Sequence, residues 1–192
     1  MNHIEVYDNI LSKEECNKLI KYFDDSPYKE KGLTAGGYRP DLKNGNCLSI
    51  WLSGEDCNVD SIMYNYLNEF IIPALKKGLE DYKNKFPVLD LETSSWSLHN
   101  SFNIQKFNGE TEGYFSMHYE ASSPKLCNRI LVWMIYLNNA KCGTRFYYPT
   151  RDVKAKQGRL VLWPAGWTHP HSGILPNIGE KYMITGWYSL VG

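Results

Sequence analysis

The longest unbroken run of apolar side chains covers residues 130–137 and follows Arg129. Such a run, bounded by polar residues, is typical of a strand that is buried on both faces. It is too short to cross a membrane. From Ser95 onwards, similar short segments alternate with turns that contain Gly and Asn. This pattern predicts strands at 98–107, 114–120, 129–138, 144–148, 159–163, 168–174 and 181–189, and therefore a sandwich or barrel.

The N-terminal part of the chain has a different pattern, with apolar residues at helical spacing. After a predicted strand at 4–10, Ser12 and Glu15 have the spacing of a capping box. The helix that they open is expected to end near 24–27, where Pro27 occurs. A second helix is predicted at about 59–82, kinked or divided at Pro73. Its buried side is expected to carry Ile62, Tyr66, Phe70 and Ile71.

Between the two helices, residues 28–46 are rich in glycine and polar side chains, and 47–53 has the pattern of a strand. The first segment is predicted to be a long loop or a loosely held strand pair, and loops of this length often bind ligands. A chain of 192 residues is most economically one domain. We expect helical support and loops at about 1–94, and a β core at about 95–192.

Composition narrows the functional classes. The 21 basic and 21 acidic residues balance, which disfavours a nucleic-acid partner. Five scattered cysteines without a CxxC pair indicate reduced thiols in an intracellular protein. The first sixteen residues lack the apolar core of a signal peptide. A cytoplasmic protein without membrane association is therefore expected.

Candidate metal ligands occur in two places. His118 and Glu120 are two residues apart, so on an extended chain their side chains share one face. His169 and His171 follow about fifty residues later and also share a face. Two histidines and one carboxylate, with open coordination positions, form the facial triad of non-haem Fe(II) oxygenases.

The order of motifs around these residues resembles the Fe(II)/2-oxoglutarate-dependent dioxygenases of the prolyl 4-hydroxylase-like branch. The segments that carry the resemblance, over about 100–192, are His118-Tyr-Glu120, Arg129-x-Leu-x-x-x-x-Tyr136-Leu-Asn138, Cys142-Gly-Thr-x-Phe146, Gly158-x-Leu-x-x-Trp163-Pro164, His169 with His171, and Lys181. Two positions depart from the family pattern. Glu120 stands where most members have Asp, and Cys142 replaces the first Gly of a pair.

The resemblance implies a double-stranded β-helix fold (jelly roll, cupin-like), mainly β within the α+β class, with N-terminal supporting helices. It implies catalysis by His118, Glu120 and His171, as ligands of Fe(II). Spacing from Trp163-Pro164 favours His169 as the third ligand, whereas spacing from Lys181 favours His171. We assign His171 and keep His169 as the alternative.

The resemblance also implies a co-substrate site for 2-oxoglutarate. Lys181 is expected to bind its distal carboxylate together with Tyr136, and Thr185 and Gln105 are further candidates for the pocket lining. O2 is the oxidant, and ascorbate is a further candidate cofactor. The implied reaction is hydroxylation with release of succinate and CO2.

The primary substrate is left open by the sequence. Peptidyl proline or an amino-acid side chain is the default, and the partner is expected to be a small molecule or peptide. Its contacts are predicted to come from Arg129, Arg145, Tyr119, Trp167, Trp187 or the 33–46 loop. Two alternatives exist: a cupin-like metal enzyme that does not use 2-oxoglutarate, and a non-catalytic jelly-roll module that binds a ligand. A bacterial or phage origin is compatible with Glu120.

Overall fold

The computed structural model describes residues 2–34, 36–90, 95–175 and 179–191. Its helices are α1 (Lys13–Asp25), α2 (Ser61–Tyr66) and α3 (Ile72–Lys85), with a π-helical turn at Leu67–Ile71 and a 3-10 turn at Pro87–Asp90. The strands are β1 (Glu5–Tyr7), β2 (Glu30–Lys31), β3 (Lys43–Asn44), β4 (Asn46–Trp51), β5 (Trp96–Asn108), β6 (Gly113–Tyr114), β7 (Arg129–Tyr136), β8 (Gly143–Tyr147), β9 (Thr150–Lys154), β10 (Arg159–Pro164), β11 (His171–Ile174) and β12 (Glu180–Leu190).

The strands form a large sheet and a small sheet. The large one has the order β1-β10-β7-β12-β5-β4-β2, the small one has the order β11-β8-β9, and β3 pairs with β6. All of these pairs are antiparallel. The mainly β jelly-roll prediction is confirmed by this arrangement and by the solved structures described below.

Strand β7 lies in the middle of the large sheet and is buried on both faces. Leu131, Trp133 and Ile135 belong to the core between the sheet and the helices. The alternate residues Val132 and Met134 belong to a second core, which includes side chains of the small sheet. Because both faces are buried, β7 is a continuous apolar run instead of an alternating one.

The first helix was predicted closely. The Ser12 side chain accepts from the backbone N–H of Glu15, and the Glu15 carboxylate accepts from the Ser12 N–H, so the capping box is present. The second helical region covers Ser61 to Lys85, and the π-helical turn interrupts it just before Pro73. Ile62 was wrongly placed on the buried side: it is half exposed, and the next residue, Met63, is buried instead.

Two strand predictions need correction. The predicted strand 114–120 is shorter, because β6 ends at Tyr114 and only a single bridge at His118 follows. Strand β9 was missed, since its sequence TRDVK has one buried residue, Val153. Within 28–46, β2 and β3 have two residues each and pair with β4 and β6, not with each other, so most of the described segment is loop. Ala35 lies outside the described residues.

The predicted boundary at 94/95 falls partly on 91–94, which are also outside the described residues. Among the described helices, none combines the length and the apolar character that a membrane crossing requires.

Candidate active site

The backbone brings the two histidine segments side by side. His118 and His171 form an antiparallel bridge, with N–H to O distances of 3.0 and 2.9 Å. Glu120 is held separately, because its N–H donates to the carbonyl of Ala165 at 3.1 Å. The segment around His118 is therefore fixed by hydrogen bonds to both flanks of the β10–β11 connection, although it is not a regular strand.

These contacts place three side chains around one point. The Glu120 Oε1 lies 3.5 Å from His118 Nε2 and 3.4 Å from His171 Nε2. One ligand atom from each residue lies within 4.8 Å of the other two. This geometry has the size and the donor set of a mononuclear site for a divalent transition metal.

The histidine tautomers show why this point suits a cation. His118 Nδ1 lies 2.9 Å from the Ser116 carbonyl, and His171 Nδ1 lies 3.1 Å from the His169 carbonyl. A carbonyl only accepts, so each Nδ1 carries a proton, and each Nε2 is the nitrogen that faces Glu120 and is available to a metal. When both imidazoles are neutral, their Nε2 lone pairs and the carboxylate oxygen repel one another unless a cation lies between them. The residues therefore fit a bound metal ion.

The protonation states agree with this conclusion. Burial alone would raise the pKa of Glu120, but the adjacent imidazoles outweigh it and hold that pKa well below its ordinary value. Burial lowers the pKa of His118, and the neighbouring His171 acts in the same direction. An ionised carboxylate and a neutral imidazole are the forms that bind metal.

The second oxygen of Glu120 is held by two other residues. Trp187 Nε1 donates to Glu120 Oε2 at 3.0 Å, and Arg129 Nη1 lies 3.4 Å from the same oxygen. The Arg129 guanidinium also stacks 3.5 Å from the centre of a Trp187 ring. These contacts fix the orientation of the Glu120 carboxylate, so that Oε1 stays directed at the two histidines.

His169, the alternative ligand, points elsewhere. Its Nε2 lies 2.9 Å from the carbonyl of Asn2, and its Nδ1 lies 2.9 Å from the Thr168 hydroxyl. Both ring nitrogens are therefore engaged away from Glu120. His169 is also absent from the residues that line the cavity at the site.

That cavity has a volume of about 330 Å³ and reaches from the triad to Lys181. Lys181 is only 2% exposed and has no acidic partner within 4 Å among the described residues. Burial lowers the pKa of Lys181, and the nearby Cys142 partly opposes this decrease. Thr185 also lines the cavity, and no described residue is a hydrogen-bond partner for its buried hydroxyl. Both groups fit an anionic ligand that is larger than water.

Two other predicted co-substrate residues differ in position. Gln105 lines the cavity. Tyr136 is fully buried behind the lining, and its hydroxyl lies 2.7 Å from the Thr144 hydroxyl and 3.4 Å from the Val153 carbonyl. Thr144 itself lines the cavity. A direct contact between Tyr136 and 2-oxoglutarate stays a prediction. In the structure the side chain of Thr144, and not that of Tyr136, lines the cavity at this position.

The predicted substrate contacts divide into two groups. Tyr119, Arg129 and Trp187 line the cavity. Arg145 does not, because its exposed side chain pairs with Asp152 of the neighbouring strand β9, and Trp167 is 74% exposed outside the cavity. These two residues have no contact in the structure that would place them near a substrate.

The lining residues that the sequence did not single out include Tyr114, Lys43 and Thr144. Tyr114 stacks on His118, with 3.5 Å between ring centres, and Lys43 is buried beside Tyr114. The His-x-Glu motif that identifies His118 as a candidate ligand gives no indication of a role for Tyr114. Lys43 is in the glycine-rich 28–46 segment, where nothing in the local pattern distinguishes a buried lysine from an exposed one.

A protein-family model described as the 2OG-Fe(II) oxygenase superfamily matches residues 102–189, which contain the triad, Thr185 and Lys181. Over these residues the chain is similar to this superfamily. A putative prolyl 4-hydroxylase of Acanthamoeba polyphaga mimivirus is 21% identical over 203 aligned positions, which cover 95% of this chain and 72% of the relative. The branch prediction is confirmed by these matches and by solved structures.

Three solved structures show the shared fold at 16% identity. A prolyl 4-hydroxylase from Pseudomonas putida has a TM-score of 0.70, with 100% of this chain and 95% of that chain covered. A Trichoplax adhaerens prolyl hydroxylase, in complex with a hypoxia inducible factor peptide fragment, has a TM-score of 0.74 (98% and 84%). A viral collagen prolyl hydroxylase from Paramecium bursaria Chlorella virus-1, in its 2OG complex, has a TM-score of 0.64 (98% and 97%).

The chain is therefore a dioxygenase of the 2OG-Fe(II) class. The matched family implies Fe(II) as the metal at the site, and 2-oxoglutarate and O2 as the co-substrates. A non-catalytic jelly-roll module is disfavoured by the same matches.

Proposed function

We propose that this oxygenase hydroxylates a peptidyl proline or an amino-acid side chain, with release of succinate and CO2. The observation that carries the proposal is one cavity lined both by the triad of His118, Glu120 and His171 and by the buried Lys181, which has no acidic partner among the described residues. A metal site and a buried positive charge in one cavity match a co-substrate with an oxo-acid head and a distal carboxylate.

In this proposal His118, Glu120 and His171 hold Fe(II). The bound metal supplies oxygen activation, coupled to oxidative decarboxylation of 2-oxoglutarate. The protein supplies the ligand geometry. The backbone carbonyls at Ser116 and His169 keep both Nε2 atoms deprotonated, and Trp187 and Arg129 fix the carboxylate.

The co-substrate is proposed to lie along the inner face of the large sheet. Lys181 would neutralise its distal carboxylate, and Thr185 would donate the hydrogen bond that the structure leaves unused. Thr144, with its hydroxyl oriented by Tyr136, and Gln105 would complete the polar lining. Burial of these groups excludes water, so their attraction to an anion is stronger than at a surface.

An anaerobic titration of the metal-free protein with Fe(II) and 2-oxoglutarate tests the proposal. A visible metal-to-ligand charge-transfer band is expected, followed by succinate release on exposure to O2. Absence of the band would refute the co-substrate site. The cupin-like alternative predicts instead that Lys181→Ala keeps full activity, so this variant separates the two enzyme classes.

Two further predictions accompany this function. The hypoxia inducible factor peptide bound to the Trichoplax relative supports a peptide as the substrate class, although its identity here is a proposal. Ascorbate is proposed as a reductant that restores Fe(II), and added ascorbate should then prolong turnover. A cytoplasmic location and a single catalytic domain stay predictions from the sequence.

A further inference from the structure

Lys43 is a second buried lysine at the site, and the co-substrate leaves it unused. It is 7% exposed and lines the same cavity as the triad. Its Nζ donates to the carbonyl of Leu33 at 3.2 Å, and no carboxylate of the described residues lies within 4 Å of it. An ammonium group with one neutral acceptor is poorly compensated for the water it has lost. Such a charge is expected to have an anionic partner.

The position of Lys43 links it to the reaction centre. Its Nζ lies 5.3 Å from the centre of the Tyr114 ring, which in turn stacks on His118. The carboxylate of Glu120 is in the same cavity, but it is engaged by the histidines, Trp187 and Arg129. Lys43 is therefore next to the ring that covers a proposed metal ligand, while its charge is free to meet a ligand.

A neighbouring groove shows from which side this ligand would arrive. The groove has a volume of about 750 Å³ and shares Leu33, Lys43 and Asn103 with the cavity. Its walls include the exposed side chains of Tyr28 and Trp51. A groove with aromatic walls that adjoins the active-site cavity suits a peptide segment that continues beyond the reacting residue.

The charges along the groove place an anion at one point. Asp25, Glu30 and Asp60 are also among its lining residues, and each disfavours an anion beside it. Lys31 also lines the groove, but its ammonium faces Glu112 at 3.7 Å. Lys43, at the junction with the cavity, is the lysine of the groove without such a partner among the residues described.

We propose that Lys43 binds a carboxylate of the primary substrate, so that the enzyme selects a residue with an acidic group beside it. The carboxylate would come from an Asp or Glu side chain or from a free C-terminus. This inference rests on the proposed function, since it takes Lys181 to neutralise 2-oxoglutarate. Lys43 is then a specificity-determining residue for the primary substrate.

A binding experiment with two separate readouts tests the inference. Wild-type protein, Lys43→Met, Lys43→Arg and the surface control Lys13→Met are loaded with Mn(II), which is redox-inert here, and titrated with 2-oxoglutarate. Each loaded protein is then exposed to a proline-centred peptide library with randomised flanks, prepared with free and with amidated C-termini. Retained peptides are identified by mass spectrometry.

All four proteins are expected to bind 2-oxoglutarate with similar affinity. Wild type, Lys13→Met and Lys43→Arg should retain acidic peptides at least about tenfold over their Gln, Asn or amidated counterparts, the size of a charged hydrogen bond. Lys43→Met should lose this enrichment and keep the wild-type melting temperature within a few degrees. Enrichment in both library forms identifies a side-chain carboxylate, and enrichment in the free form alone identifies the C-terminus.

The results that would contradict the inference differ in what they say about the proposed function. If wild type binds 2-oxoglutarate but shows no acidic preference among the retained peptides, the role of Lys43 is refuted and the proposed function stands. If it binds 2-oxoglutarate but retains no peptide, the role of Lys43 and the peptidyl proline substrate are both refuted, and the 2-oxoglutarate site stands. If Lys43→Met loses 2-oxoglutarate affinity and Lys13→Met does not, Lys43 belongs to the co-substrate site and the inference is wrong. If wild type fails to bind 2-oxoglutarate, the proposed function and the inference fall together.

Discussion

The indole N–H of Trp187 donates to Glu120 Oε2 at 3.0 Å, while Glu120 Oε1 faces the two histidines at 3.4 and 3.5 Å. This contact accounts for a glutamate at the carboxylate position. One more methylene than aspartate gives the side chain another rotatable bond and a less defined carboxylate. Trp187 and the stacked Arg129 remove that freedom and direct Oε1 at the metal position.

Trp187→Phe should therefore weaken Fe(II) binding by about 10–100-fold, as is typical when a hydrogen bond to a metal ligand is lost. Anaerobic calorimetric titration with Fe(II) measures the change, and thermal unfolding checks that the variant folds. The matched control is Trp167→Phe, because Trp167 is exposed and outside the cavity. Equal Fe(II) affinities in both variants would show that Trp187 does not orient Glu120.

Substitution of His169 and substitution of His171 should have clearly different effects on the charge-transfer band of the loaded protein. His171→Ala is expected to abolish the charge-transfer band, because it removes a nitrogen 3.4 Å from Glu120 Oε1. His169→Ala should keep the band and lower the melting temperature by a few degrees, since it removes contacts to Asn2 and Thr168. Loss of the band in His169→Ala alone would reverse the ligand assignment.

The fold class and most of the metal site could be predicted from the sequence, whereas the choice between His169 and His171 could not. The continuous apolar run of β7, the Ser12 capping box and the ordered motifs predicted the fold class and the three candidate ligands. Each of these signals is local, or depends on a motif that several families share. His118 and His171 are next to each other only because β11 folds back along the segment after β6, so sequence spacing alone could not decide between His169 and His171.

Lys43 and Tyr114 were out of reach for a related reason. The β3–β6 pair that carries both is two residues long on each side, with Lys43 opposite Tyr114. Such short strands have no periodicity to detect. Burial of Lys43 also depends on contacts with Gly32 and Leu33 in the preceding loop, which the pattern does not specify.

Lys181→Met should weaken 2-oxoglutarate binding by about 100-fold or more, because it leaves a buried carboxylate without a counter-charge. Calorimetric titration of the Mn(II)-loaded protein measures this. The variant should also be at least as stable as wild type when no ligand is present, since it removes a buried ammonium for which the described part of the chain offers no acidic partner. Unchanged affinity would place the distal carboxylate elsewhere.

The same lysine predicts a pH dependence. Burial lowers the pKa of Lys181 in the ligand-free protein, and the protonated form is the one that attracts a carboxylate. Affinity for 2-oxoglutarate should therefore fall as pH rises, beginning at a lower pH than for a solvent-exposed lysine. Lys181→Arg should flatten the profile, because a guanidinium keeps its proton. A steep profile in Lys181→Arg would assign the titration to another group.

Thr185→Val tests the polar lining of the cavity. The Thr185 hydroxyl is buried without a partner among the described residues, and such a group costs about 1–3 kcal/mol. Valine has nearly the same shape, so the ligand-free variant should be more stable by about 1 kcal/mol in urea unfolding. Its 2-oxoglutarate affinity should fall by about tenfold, if the hydroxyl binds the co-substrate.

The control for this prediction is Thr144→Val. The Thr144 hydroxyl has a partner, since it lies 2.7 Å from the Tyr136 hydroxyl. Its loss leaves the buried tyrosine less satisfied and should destabilise the ligand-free protein. If both variants shift stability in the same direction, the Thr185 hydroxyl has a partner in solution and is not reserved for a ligand.

Gly78 is expected to be essential to the packing of α3 on the large sheet. In an isolated helix, Ala in place of Gly adds about 1 kcal/mol of stability. Here a methyl group at Gly78 would lie 2.2 Å from Leu160 Cδ2 on β10, so the fully buried Leu160 side chain, the helix or the strand must move. Because overpacking of a core costs about 1–3 kcal/mol, Gly78→Ala should lower the free energy of unfolding. Asn84→Ala, at an exposed position of the same helix, should leave it unchanged or raise it. A Gly78→Ala variant more stable than wild type in urea unfolding would show that α3 does not approach β10 this closely.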